Sequence, residues 1–138
     1  MANVLYPSFK EALLSGTVDL RINSPVTMEV KVILVDTADY TYSAAHTVLA
    51  DVPAGARVAV SGALTGNTVS GGVFDANDVT LASVTGDVAE ALVLYLDDGA
   101  TDPLIAYLDT GYSNLPITPD GGDIVIVWPS DANKIFAL

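Results

Sequence analysis

The chain has 138 residues, 51% of them hydrophobic, with 17 acidic against 5 basic side chains and a formal net charge of -12. That length suits one domain with a real core, and the charge opposes binding to nucleic-acid phosphates or anionic membranes. With no cysteine, disulfides and thiolate metal sites are excluded, so robustness must come from packing or assembly.

A mean hydropathy of +0.47 separates the chain from disordered acidic tracts, which are poor in branched apolar residues. No apolar run reaches the roughly 18 residues of a membrane span. The opening MANVLYPSFKEALL lacks the cationic start and apolar centre of a signal peptide. The expectation is a soluble product of the cytoplasm, with residues 1–138 forming one β-rich domain and 1–16 an N-terminal arm and helix.

In chain order, YPSFKEALLSG, residues 6–16, predicts a helix. Pro7 suits the first turn, where its missing N–H is no loss, Gly16 suits a left-handed stop, and Phe9, Leu13 and Tyr6 share a stripe. From Val26, VTMEVKVILVD alternates: Val26, Met28, Val30, Val32 and Leu34 face one way, Thr27, Glu29 and Lys31 the other, and Ile33 and Val35 make its end fully buried. SAAHTVLADVP, residues 43–53, begins with Ser43 in an N-cap position and predicts one or two helical turns docked on a sheet. ARVAVSGAL is strand-like, with Gly62 suggesting a bulge or a close backbone approach. GNTVSGG reads as turn. Short β segments are expected at 73–74, about 78–84, 89–96, 104–109, 124–128 and 134–138.

Many short strands separated by Gly, Pro, Asp and Asn turns, with helices only early, predict a mainly β fold. The expected architecture is a single-domain antiparallel β-sandwich or barrel with one N-terminal helix and one short additional helix. The later strands lack the helical connections that parallel crossovers need.

Four constellations could carry chemistry. His46 is the only histidine, and Ser43 three residues earlier could share a helical face with it, but no G-x-S-x-G elbow accompanies them. Asp97 with Asp98, or Asp120 with Asp123, could be drawn as a glycosidase pair. Both pairs stand in turn contexts, DDG and PDGGD, where aspartates bond their own backbone. DANDV, residues 75–79, crowds oxygen ligands as a calcium loop does but lacks that loop's glycine and closing glutamate, so an Asx turn fits better. SGALTGN lacks the G-K-[ST] ending of a phosphate cradle. No catalytic, metal or cofactor-binding residue is therefore assigned. Tyr40 and Tyr42, two apart in VDTADYTYSAAH, project from one side of an extended segment, either onto their own sheet or onto a partner subunit.

The blocks NVLYPSFKEALL, VDTADYTYSAAH, DVPAGARV, VFDANDVT, EALVLYLDDG, PLIAYLDTG, LPITPDGGDIVIVW and the closing IFAL together cover nearly all of the chain. They resemble a group of small structural proteins of tailed bacteriophages and prophages. The stretch NSPVTMEVKV departs from the group's pattern by being longer before the first strand. The resemblance implies a non-enzymatic virion protein without cofactors, most simply a capsid decoration or cement protein. Its partners would be the major capsid protein and copies of itself, a trimer being favoured, on the outer capsid surface. Alternatives are a tail, baseplate or fibre-base component, or a carboxylate-pair polysaccharide hydrolase. The side chains expected to touch a partner are Tyr6, Phe9, Tyr40, Tyr42, Ile135, Phe136 and Leu138.

Overall fold

The computed structural model describes residues 3–18, 20, 29–112 and 114–138. It is mainly β, with every strand pairing antiparallel. The elements in chain order are β1 (Val4–Leu5), α1 (Pro7–Leu14), β2 (Glu29–Val35), β3 (Arg57–Val60), β4 (Thr68–Ser70), β5 (Val73–Asp75), β6 (Val79–Leu81), β7 (Ala91–Asp97), β8 (Leu104–Leu108), β9 (Ile124–Ile126) and β10 (Phe136–Ala137). A five-stranded sheet has the order β1-β8-β7-β2-β3, a three-stranded one β10-β5-β4, and a two-stranded one β6-β9.

The longest apolar runs sit at the centre of the large sheet, because only there are both faces covered. In β7, ALVLYLD, the first six residues are buried, and in β8, LIAYL, all five are. β2 pairs with β7 along its whole length, from Glu29 opposite Asp97 to Val35 opposite Ala91. Its burial changes along the strand as the pattern predicts: Glu29 and Lys31 are half-exposed, and Val32, Ile33, Leu34 and Val35 are sealed. The solvated end is tied across the ladder, where the Lys31 ammonium donates to the Asp97 carboxylate at 2.5 Å. The expected start of this strand, 26–28, lies outside the described residues.

Helix α1 begins with Pro7 in its first turn and stops before Gly16, whose φ is +74°, the left-handed value glycine adopts without penalty. Phe9 is its buried anchor. The expected helical turns of 43–53 form as a 3-10 turn and not from Ser43. In place of a helix from Ser43, the chain bends at 44–45 and forms only two three-residue 3-10 turns, Leu49–Asp51 and Ala54–Ala56. Extended pairing wins here. Leu104 donates its N–H to the Thr47 carbonyl, Leu49 donates to the Asp102 carbonyl, and Val48 bridges Pro103, so residues 47–49 serve the start of β8. β-branched Thr47 and Val48 favour that state over helix. Arg57 then closes the turns by donating to the Leu49 and Val52 carbonyls.

Three other details differ from expectation. β1 and β4 form where no strand was expected, β4 inside the GNTVSGG tract. Gly62 lies past the end of β3, and a Cβ there would meet nothing within 4 Å. The irregularity between β2 and β3 falls instead at Leu34 and Val35. The glycine that does sit close to a neighbour is Gly66, where a Cβ would come within 2.7 Å of the Asn77 side-chain carbon.

Candidate functional site

Most of the side chains expected to meet a partner are inside the protein's own core. Tyr6, Phe9, Tyr40, Ile135 and Phe136 are all buried in the single chain. They form two aromatic groups. Tyr42 is half-buried and lies 5.1 Å from the Tyr6 ring and 5.7 Å from Tyr107, with Tyr40 6.4 Å from Tyr107. The tyrosine pair thus packs on its own sheet through β8. In the second group Phe136 stacks on Phe74 at 5.3 Å and meets Phe9 edge-on at 5.8 Å, joining β10, β5 and α1. The correction has one cause. A stripe such as Tyr6, Phe9 and Leu13, or a ring in a loop or at the chain end, suits a core and a partner surface equally well, so only the three-dimensional packing reveals that these rings face inward. Of the seven, Leu138 alone is largely exposed, at 73%.

The histidine is held by this core. Tyr6 and Tyr40 hydroxyls lie 2.8 Å apart, and the Tyr40 hydroxyl is 2.9 Å from His46 Nδ1. The arrangement that uses both hydroxyl protons has Tyr6 donating to Tyr40 and Tyr40 donating to Nδ1, which places the ring proton of His46 on Nε2. Burial raises the pKa of both tyrosines, most strongly at Tyr6. Ser43 is not drawn to the imidazole: its Oγ accepts the Ala45 N–H.

Of the aspartates drawn as catalytic pairs, Asp98 and Asp120 form turns, Asp97 pairs with Lys31 and Asp123 reaches across to another loop. Asp98 Oδ1 accepts N–H groups of Ala100, Thr101 and Asp102 at 2.9 to 3.0 Å. Asp120 accepts from Gly122, and Asp123 from Ser83. In DANDV, Asp78 accepts the Trp128 N–H and the Asn77 carbonyl accepts the Trp128 indole, so the segment clamps β9 instead of closing a cation loop. The acidic side chains that do converge are Asp36, Asp39 and Asp87, with ligand atoms within 4.8 Å of one another. Asp36 is already engaged by the Ala38 N–H at 2.8 Å.

The turn after β7 makes a pH prediction. Burial acts to raise the Asp98 pKa, but the backbone N–H groups it accepts outweigh this and hold it below the usual carboxylate value. The Lys31 ammonium does the same for Asp97. Groups with depressed folded pKa values contribute stability above the ordinary carboxylate range, about 4, and lose it as pH falls through their folded values. Asp102, raised by burial and by Asp97, has the opposite sign. Asp98→Ala should therefore cost about 1–2 kcal/mol at neutral pH, with the gap to the parent narrowing in acid. Urea unfolding at several pH values measures this, and a gap that stays constant into acid would contradict it.

Two cavities of about 340 Å³ each open on the surface. The first is an apolar groove where the C-terminal end of α1, the β4–β5 hairpin and the end of the chain meet. Leu13, Val18, Val69, Val73, Phe136 and Leu138 are among its walls. Val69 is 47% exposed, and Leu14, at the end of α1, points largely into solvent. Three segments far apart in the chain build this groove, so no local pattern announces it.

No protein-family model matches the chain, and no curated protein matches it.

Proposed function

We propose that the protein is a non-enzymatic structural protein of a phage virion, of the capsid decoration type, which adheres to the major capsid protein shell and to copies of itself, a trimer being favoured. The observation that carries the reading is the apolar groove. The β body leaves Val69 and Leu138 exposed around an apolar recess, and such patches mark protein interfaces. The acidic surplus favours the outside of a head over the interior, where packaged DNA would repel it. The resemblance of the sequence blocks to phage structural proteins supplies the partner.

The test is direct. Purified particles should contain copies in a fixed ratio to the major capsid protein, and particles lacking the protein should release DNA at lower temperature. Val69→Asp combined with Leu138→Asp should abolish attachment at saturating protein, yet change the stability of the free chain by no more than about 0.5 kcal/mol per site, since both positions are exposed. A few copies per particle, located at the tail tip, would instead indicate a tail or baseplate component.

A further inference from the structure

Two sheets of this protein end in free edges that border the same space. The outer strand of the five-stranded sheet is β1 and that of the three-stranded sheet is β10. The second cavity is lined by Val4 and Leu5, by Leu108 of β8, and by Ile135, Phe136 and Ala137. Among the described residues each of these strands pairs on one side only, with β8 for β1 and with β5 for β10. An edge strand leaves alternate N–H and C=O groups without ladder partners, so main-chain groups are open on both walls of the slot.

Both strands are only two residues long, which is itself one protection of an edge, but charge, proline and bulges are missing. Val4–Leu5 and Phe136–Ala137 contain no charge and no proline, and neither pairing has a register shift, whereas natural edges are commonly blunted by such features. At β9, by contrast, the Asn114 amide occupies the Val125 carbonyl. The slot's volume, about 340 Å³, falls within the range of sites that enclose ligands.

Charge narrows the occupant. Asp131 and Lys134 both line the slot. Asp131 is engaged within its own turn, Oδ1 accepting the Asn133 N–H and the carbonyl accepting the Lys134 N–H. Lys134, held at φ +49°, has no ion-pair partner among the described residues, in a chain where acidic groups outnumber basic ones 17 to 5. Its ammonium is the cation of the slot among the described residues, beside the Asp131 carboxylate.

We propose that the slot between β1 and β10 receives an extended segment of another protein chain, inserted as a strand that carries a carboxylate opposite Lys134. The insertion would join the two sheets in the order β4-β5-β10-segment-β1-β8-β7-β2-β3. Main-chain pairing on both sides supplies affinity, and the Lys134 contact sets register, as in other strand-addition interfaces. The inference is independent of the particle the protein serves and of the apolar groove.

The test uses the full chain and a capped synthetic peptide, Thr-Val-Asp-Val-Thr, followed by amide hydrogen exchange and nitrogen–proton correlation spectra. Saturable binding in the millimolar range is expected, with about fivefold or greater protection at both Leu5 and Ala137. An analogue with alternate amides N-methylated should bind about tenfold more weakly, reflecting lost ladder bonds. Lys134→Glu should weaken the parent peptide by about threefold or more, and a lysine in place of the peptide's aspartate should restore binding to that variant. Protection at one edge only, binding at Val69 and Leu138 instead, equal binding of the N-methylated analogue, or no binding at millimolar peptide would each overturn the proposal. Indifference to Lys134→Glu would overturn the carboxylate assignment with it.

Discussion

Alanine at Phe136 is expected to destabilise the isolated protein by about 3–5 kcal/mol, the usual range for emptying a buried aromatic site. The ring stacks on Phe74, meets Phe9 edge-on and sits in a strand paired to β5, so its removal loosens the helix, the hairpin and the end of the chain together. For a domain of this size the unfolding midpoint should fall by roughly 10–20 °C. Leu138→Ala, two residues on and largely exposed, should stay within about 0.5 kcal/mol. Thermal and urea unfolding of the two variants measure the contrast. If Phe136 served chiefly as a contact for another subunit, the order would reverse: free-chain stability would survive and only assembly would suffer.

The second expectation concerns the tyrosine relay. Tyr40→Phe removes the group that stands between the Tyr6 hydroxyl and His46 Nδ1. Tyr6 is fully buried and Tyr40 is its hydroxyl's one partner among the described residues, so that hydroxyl is left in an apolar environment at a cost of about 1–3 kcal/mol. The double change Tyr6→Phe with Tyr40→Phe should recover part of that loss, because no buried hydroxyl then lacks a partner. The two single costs should therefore sum to more than the double one, with a coupling of about 1 kcal/mol or more. Denaturant titration of the four proteins decides this, and strict additivity would show that the hydroxyls do not act as a chain. Phenylalanine keeps the ring contacts with Tyr42 and Tyr107, so packing is largely held constant.

Much of the architecture was legible residue by residue. Pro7 and Gly16 bound the helix because one lacks an N–H and the other accepts positive φ, both local properties. The runs in β2, β7 and β8 announced buried strands because a sheet covered on both faces needs unbroken apolar residues. Asp98 and Asp120 announced turns because their carboxylates reach backbone N–H groups only two to four residues away. The segment 43–53 misled, since its helix formers promised a local solution while Thr47 and Leu49 found hydrogen-bond partners at Leu104 and Asp102, more than fifty residues ahead. Tyr6, Tyr40 and Phe136 misled for a related reason: an aromatic ring suits a core and an interface equally well by composition.

Propensity, periodicity and charge within short windows already dictate the class of the fold, its one early helix, the turn chemistry of Asp98 and Asp120 and its acidic exterior. Only the tertiary structure decided which rings turn inward, that Val69 and Leu138 border a common groove, and that β1 and β10 leave their free edges around one slot. Those outcomes depend on pairings such as Val4 with Tyr107 and Phe136 with Phe74, which join residues so far apart in the chain that no local pattern encodes their meeting.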